Sequence, residues 1–345
     1  MICFEKIRIA VDAMGGDNAP GEIVRGAIQA LKQNRDITVI LVGRRQALDG
    51  ELAKYTCDRS RLETVYAEEV IETAEPPVKA IRRKKDSSLV VCMRLVHNGQ
   101  ADAMVSAGSS GAILAGGQFI VGRIKGIERA PFAPMLPTEK GGTLLVDCGA
   151  NVDARPGHLV QWAQMGTIYM RDIAGIPKPT VGILNIGAED DKGNKLVKET
   201  FPLLQACEDI HFIGSVEARD VPYGAADIVV CDAFAGNILL KMYEGVASLL
   251  MKKLKESIMS SVRSKIGGAL IKPALKNTLK TFDVSAYGGA PMLGLRGLVV
   301  KSHGNASAKE ISVAIGQCVE FQAQRIGEKI EETIARKNRE DSDGV

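Results

Sequence analysis

Short apolar, β-rich runs alternate with stretches of helical period along nearly the whole chain, and few architectures accept that order. Strand-like runs begin at Ile7 (IRIAVDA), Ile37 (ITVILVG), Asp102 (DAMVSAG) and Gly142 (GTLLVDCG). Four more begin at Thr180 (TVGILNIG), Asp209 (DIHFIGSV), Ala226 (ADIVVCDAF) and Gly297 (GLVVKSHG). Between them lie EIVRGAIQAL, with Ile23, Val24, Ala27, Ile28 and Leu31 on one face, SLVVCMRLV, GHLVQWAQMGTIYMRDI and KLVKETFPLLQA. Parallel strands need crossovers long enough to hold a helix, so the pattern predicts an α/β fold, a three-layer αβα architecture around a mainly parallel sheet. No fixed-period repeat or Ser/Pro-rich linker divides the chain, and residues 1–336 read as one α/β catalytic domain or two lobes of it. A long helix is expected from Glu310 to about Arg336, then a charged, frayed tail over 337–345.

Open α/β sheets bind ligands beyond the carboxyl ends of their strands, and nearly every distinctive short sequence falls there. These are DAMGGDNAP, SAGSSGA, DCGANVD, NIGAEDDKGN, CDAFAGN and SHGNAS. Each joins Gly or Ala to Asp, Asn or Ser, and most precede a helix, whose first N–H groups attract anions. Any one alone reads as a turn with an Asx or Ser cap; six of one character point to a shared, phosphate-sized site. The chain holds 36 glycines, where average usage of about 7% would give roughly 24, consistent with many tight turns or close ligand approaches.

Other chemistries are excluded by what is missing. There is no GxGxxG, GxxxxGK[ST] or HExxH, and AGSSGA falls short of a GxSxG nucleophile elbow. Of the four histidines, His97 and His211 sit in helix- and strand-like runs, and His303, in a Gly/Asn/Ser loop, is equally a site residue or a loop residue. Asp12, Asp17, Asp190 and Asp232 are possible metal ligands, but acids at strand ends more often cap helices. The seven cysteines form no CxxC pair, which fits free thiols in a reducing compartment. Glu5, Lys6 and Arg8 interrupt any signal-peptide core, and no apolar run reaches membrane-spanning length. A cytoplasmic protein, lying at most on a membrane surface, is expected; a net charge of +3 gives no reason to expect a nucleic-acid partner.

VDAMGGDNAP, ADAMVSAGSSGA, VDCGANVD, NIGAEDDKGN, VEARDVPYGAADIVVCDAFAGNILLK and GGAPMLGLRG…HGNAS together, in this order, closely resemble the bacterial phosphate acyltransferases. Those enzymes make acyl-phosphate from acyl-acyl carrier protein and inorganic phosphate at the start of phospholipid synthesis. The resemblance runs from about Ile7 to about Ile330. It implies a fold like isopropylmalate dehydrogenase and phosphotransacetylase, a homodimer, and no metal or dinucleotide cofactor. Ser109 and Ser110 stand where the family has Asn-Thr, Ala188 where it has Glu, and Ala233 and Ala235 where it has Gly and Thr. The polar anchors Asp190, Asp232 and Asn237 are kept. The alternatives are a metal- and NAD-dependent 2-hydroxy-acid dehydrogenase of the same fold and a non-catalytic membrane-surface scaffold.

Attack of phosphate on a thioester needs no strong base or covalent intermediate; phosphate must be fixed and an oxyanion stabilised. Backbone N–H groups of Gly15, Gly16, Gly108, Gly111 and Gly236 suit an anion because no Cβ obstructs them. Asp17, Ser109 and Asn151, in the same motifs, complete the expected phosphate-binding set. Lys192, in a Gly/Asp/Asn turn, is the leading cation, with a solvated loop lysine as the alternative. Asn185, Asn237, Ser106 and His303 are candidate donors to phosphate or carbonyl. Asp12 and Asp232 would repel phosphate, so they are expected to orient Lys192 or to cap helices, Asp17 or Asn18 capping the helix that starts at Pro20.

A different chemistry marks a basic amphipathic segment over about 245–283. Its stretch from Met251 to Lys280 has eight basic residues, among them Lys252, Lys253, Lys255, Arg263, Lys265, Lys272 and Lys276, and one acid, Glu256. Leu254, Ile258, Val262 and Ile266 recur at helical spacing before Gly267-Gly268, which would turn a hairpin with Leu270 and Ile271 near its tip. Such a hairpin suits an anionic membrane, a membrane-bound acyltransferase or acyl carrier protein; a dimer interface is the alternative. The run Arg82 to Lys85 reads as a solvated helix end.

Overall fold

A computed structural model describes residues 6–189, 192–281 and 287–343. The chain divides into two compact units. The first comprises Met1–Pro134, Gln164–Lys178 and Ser285–Val345; the second comprises Met135–Ala163 and Pro179–Val284. In chain order the elements begin β1 (Ile7–Asp12), α1 (Gly21–Gln33), β2 (Ile37–Gly43), α2 (Arg45–Leu52), β3 (Leu62–Tyr66), α3 (Pro77–Arg83), α4 (Ser88–His97), β4 (Ala103–Ser106) and α5 (Ser110–Gly116). Next come β5 (Met135–Thr138), β6 (Gly141–Val146), α6 (Pro156–Asp172), β7 (Thr180–Asn185), α7 (Lys195–Gln205), β8 (His211–Glu217), β9 (Ile228–Val230), α8 (Ala233–Met259) and α9 (Val262–Thr281). The last are β10 (Ala290–Met292), β11 (Leu298–Lys301), α10 (Ala308–Ala323) and α11 (Ile326–Asp343).

The first unit holds a six-stranded sheet ordered β10-β11-β4-β1-β2-β3, parallel except for β10. Every residue of β2 is buried, as expected of a strand covered on both faces. By the right-handed crossover rule α1 and α2 take one face on the way to β2 and β3, and α4 the other as the chain returns to β4; α1 touches α2, and α4 packs on β1, β2 and β4. Helix α10 packs directly on α1, where Gly26 lies so close that a Cβ would sit 2.6 Å from Ile311 Cβ. The chain leaves β1 towards β2 and leaves β4 towards the opposite edge, so the topological switch point lies between β1 and β4.

The second unit holds a five-stranded sheet ordered β5-β6-β9-β7-β8, parallel except for β5. From β9 the chain enters α8, which pairs with α9 as a helical hairpin. The hairpin turns at Ser260-Ser261, and not at Gly267-Gly268, which lie inside α9. There Gly268 gives room to the Ile258 side chain of α8. The small residue serves helix packing rather than a turn, and the tip carries exposed Met259 and Val262. Leu270 and Ile271, 78% and 51% exposed, lie on the shaft of α9.

Nor is the last expected helix continuous. A capping box between Ser307 and Glu310 starts α10, and Arg325, at φ 53°, separates it from α11. Ile311 and Ile315 before the break, and Ile326, Ile330 and Ile334 after it, are buried. The helix α11 runs on to Asp343.

Candidate functional site

The six strand-end motifs fall into two triplets. One follows the adjacent parallel strands β11, β4 and β1 of the first unit; the other follows β6, β9 and β7 of the second.

In the first triplet, Asp12 ends β1 and is buried. Its Oδ2 accepts from Ser106 Oγ at 2.7 Å, at the end of β4, and Oδ1 accepts from the N–H of Met14 at 3.3 Å. Ser106 Oγ in turn accepts from the N–H of Gly108 at 3.1 Å. Burial holds the Asp12 carboxyl above its ordinary 3.8, opposed by hydrogen bonds from Ser88, Ser106 and the N–H groups of Met14 and Gly15. The third loop joins through backbone: Asp17 N–H donates to Gly304 O at 2.7 Å, and Asn18 Nδ2 to Asn305 O at 2.9 Å. Asn18 therefore ties two loops together rather than capping α1, whose N-cap is Pro20 with no side-chain cap. His303 is exposed in that loop.

The glycines have a different reason from the expected one. Gly16 sits at φ 99°, and a Cβ there would be 2.8 Å from Gly304 O and 2.9 Å from Ala107 Cβ. A Cβ on Gly15 would meet Asp12 Oδ2 at 2.5 Å, and one on Gly111 would meet Pro77 Cγ at 2.5 Å. Protein atoms, not an open approach, fill these spaces. Among the five N–H groups expected to face an anion, those of Gly15, Gly108 and Gly236 are engaged internally, by Asp12 O, Ser106 Oγ and Asp232 O. Ser109 is buried ahead of α5 without capping it. The N–H groups of Ser110, Gly111 and Ala112, in the first turn of α5, precede the first intrahelical bond and have no partner among the described residues.

The second triplet is built around an acid that the sequence reasoning passed over. Asp147, fully buried after β6, accepts from the N–H of Ala150 at 3.2 Å, and from the N–H and Nδ2 of Asn151, both at 2.8 Å. The signal was present: VDCGAN repeats the Val-Asp-then-small pattern of VDAMGG. Asn151 is thereby spent on Asp147, and its carbonyl accepts from the N–H of Ala233. Asp232 is the N-cap of α8, with Oδ1 accepting from Phe234 N–H at 2.8 Å and Ala235 N–H at 2.9 Å. With Gly236 N–H bonded to Asp232 O, the first turn of α8 is closed. Gly236 itself packs onto Asp147 O and Cys231 Sγ. Asn237 follows on the exposed side of α8.

Asn185, buried at the end of β7, donates from Nδ2 to Ser215 Oγ at 3.0 Å and to Lys192 O at 3.3 Å, while Oδ1 accepts from Ile186 N–H. Its bonds to Lys192 O and Ile186 N–H hold the turn that presents Lys192, whose side chain is exposed, and its bond to Ser215 ties that turn to β8. Asn185 is thus a positioning residue for that turn. Asp190 lies outside the described residues.

The basic residues Lys252, Lys253, Lys255, Arg263, Lys265 and Lys272 are exposed on α8 and α9; Lys276 lies on α9, but its side chain is outside the described residues. Phe234, Ile238, Met242, Val246, Leu249 and Leu250 form an exposed apolar stripe along α8. Among the described residues no helix is long and apolar enough to cross a membrane, and no group of three or more His, Cys, Asp or Glu is placed to hold a metal ion.

Parallel sheets whose acid- and glycine-bearing turns gather at adjacent strand ends place the chain in the fold class of the phosphotransacetylases. The phosphotransacetylase from Streptococcus pyogenes superposes with a TM-score of 0.61 at 19% identity, covering 94% of each chain. The EutD phosphotransacetylase from Staphylococcus aureus gives 0.56 at 18% identity, covering 92% of this chain and 94% of its own. The sequence narrows the class: the chain belongs to the family described as fatty acid synthesis protein, which matches residues 7–329. A phosphate acyltransferase from Clostridium acetobutylicum is 47% identical over 330 residues, 96% of this chain and 99% of that protein. One from Clostridium botulinum is 49% identical over 326 residues, 94% and 97% of the two chains.

Proposed function

We propose that this chain is a phosphate acyltransferase, moving the acyl group of an acyl-carrier-protein thioester onto inorganic phosphate and so forming the acyl-phosphate that opens phospholipid synthesis. The observation that carries the reading is the 47% identity to a phosphate acyltransferase across almost the whole of both chains. A phosphate oxygen attacks the thioester carbonyl, forming a C–O bond and an oxyanion. The oxyanion collapses, the C–S bond breaks, and the carrier leaves as a thiolate that takes up a proton. Phosphate is nucleophilic as it stands, so the protein's tasks are placement and charge stabilisation.

The protein's own nucleophiles support direct attack. Burial pushes the thiols of Cys92, Cys231 and Cys318 up, away from the reactive thiolate. Ser106 is buried and its hydroxyl is held by Asp12. In the first unit the unpaired N–H groups of α5 are the donors suited to an anionic oxygen; in the second, Lys192 is an exposed cation in the turn after β7. The apolar stripe of α8 is the face assigned to a second copy, and the basic tip formed by the end of α8 and α9 the one assigned to an anionic membrane. Salt-sensitive sedimentation with anionic vesicles, lost in a Met259→Glu/Val262→Glu variant, tests the membrane assignment.

The reaction itself is tested by adding phosphate to enzyme and acyl-acyl carrier protein. Free carrier protein and acyl-phosphate should appear together. Carrier release independent of phosphate, or an NAD-dependent absorbance change with a 2-hydroxy acid, would overturn the reading.

A further inference from the structure

Between residues 77 and 94 the chain carries six basic residues against one acid, Asp86. Lys84 is paired, donating to Glu75 at 2.6 Å and to Val70 O at 2.7 Å. Lys79, Arg82, Arg83, Lys85 and Arg94 are all exposed, and none pairs with a carboxylate among the described residues. Structure has no need of five like charges clustered on α3, its C-terminal end and α4, since their mutual repulsion lowers stability. They surround apolar surface: a groove of about 440 Å³ is lined by Ile81, Arg82, Lys85, Arg94, Phe119 and Ile120. Phe119 is 71% exposed, an unusual state for a phenylalanine in a well-packed unit. On the neighbouring face of α3, Val78 is also exposed beside Lys79, Arg82 and Arg83.

The same helix touches the strand-end turns. Pro77, its first residue, packs on Gly111 of α5, the helix whose first-turn N–H groups are unpaired. A partner seated on α3 therefore stands beside that turn, within the same unit.

We infer that the basic, apolar-centred face formed by α3, Arg94 of α4 and the turn bearing Phe119 is the docking surface for the acidic carrier domain that delivers the acyl thioester. The inference rests on the acyltransferase reading above. Charge complementarity selects the occupant: an acidic protein surface pairs with the five cations, and its apolar contacts meet Phe119 and Ile81. A lipid surface is the poorer match, because the exposed apolar tip suited to a bilayer, Met259 and Val262, lies where α8 meets α9.

Charge reversal tests the surface. Arg82→Glu/Arg83→Glu should raise KM for acyl-carrier protein roughly tenfold or more, leaving KM for phosphate and the melting temperature unchanged, and should flatten the salt dependence of KM. Arg94→Glu, on a different helix, should act in the same direction and guards against a folding defect in α3. Unchanged carrier KM in both variants would overturn the inference, as would a comparable rise on reversing Lys252, Lys253 and Lys255 instead. Failure of the unmodified protein to consume acyl-carrier protein at all would instead overturn the acyltransferase reading, and the docking surface with it.

Discussion

Two turns with nearly the same local sequence, the one after β1 and the one after β6, use their buried acid in opposite ways. Asp147 gathers three N–H donors from Ala150 and Asn151 and shapes its own loop. Asp12 reaches across to the next strand, to the Ser106 hydroxyl, and burial still holds its proton more tightly than usual. A Val-Asp strand end thus specifies a carboxylate pointed into the turn, but not whether that carboxylate is satisfied locally or bridges two strands. The second outcome depends on what ends the neighbouring strand: Ser106 beside β1, Cys231 beside β6.

Removing Asp147 sharpens the contrast most. Asp147→Ala takes the acceptor from two buried donors of Asn151 and the part-buried N–H of Ala150 and should cost about 3–5 kcal/mol, read by thermal or chemical melting. A loss below about 1 kcal/mol would mean that the loop reorganises freely and that Asp147 is not its organiser. The glycines come next. Gly236→Ala drives a methyl group into Asp147 O, and Gly16→Val places a branched residue at φ 99° against Gly304 O. Each should lower stability by about 2–3 kcal/mol, with activity falling in parallel. Full stability with abolished activity would restore the open anion approach expected from sequence.

The turn after β7 offers a third case, in which Asn185 is spent internally and Lys192 is presented outward. Lys192→Ala should leave stability within about 0.5 kcal/mol. It should weaken phosphate use by a charge-assisted contact of about 1.5–3 kcal/mol, or roughly 10- to 150-fold in the apparent phosphate constant. Phosphate dependence equal to that of the unmodified protein would remove Lys192 from the site. The smallest effect belongs to Asp12→Asn, which keeps an acceptor for Ser106 but cannot titrate. Because the folded carboxyl binds its proton above the ordinary 3.8, its contribution is fully present at lower pH and is lost as pH rises through the elevated folded value. The stability of the unmodified protein relative to the variant should therefore fall across that window. A flat or rising difference would contradict the buried, proton-holding environment.

What the sequence left unread among the strands lies at sheet edges. All eight strands read from apolar runs exist, whereas β3, β5 and β10 were missed, and each is an edge strand. An edge strand needs fewer apolar residues: LETVY carries an acid, and β5 and β10 each contain a proline that central pairing would exclude. Apolar periodicity in α10 and α11 stayed in phase across Arg325 and concealed the break. The Gly267-Gly268 pair carried a real packing signal that local rules read as a turn, since only the partner helix shows why a small residue is needed. The site was legible as motifs at strand ends. It was not legible as donors and acceptors, because which N–H groups are already used depends on neighbours far away in sequence.

The claim that phosphate attacks the thioester directly is tested most simply by leaving phosphate out. Enzyme at a concentration comparable to acyl-acyl carrier protein, mixed rapidly and quenched, should release no free carrier and show no increase in its own mass; adding phosphate should then release carrier and acyl-phosphate in equal amounts. A phosphate-independent burst of free carrier equal to the enzyme present, with the acyl mass on the protein, would establish a covalent intermediate and contradict the mechanism drawn from Ser106 and the buried thiols.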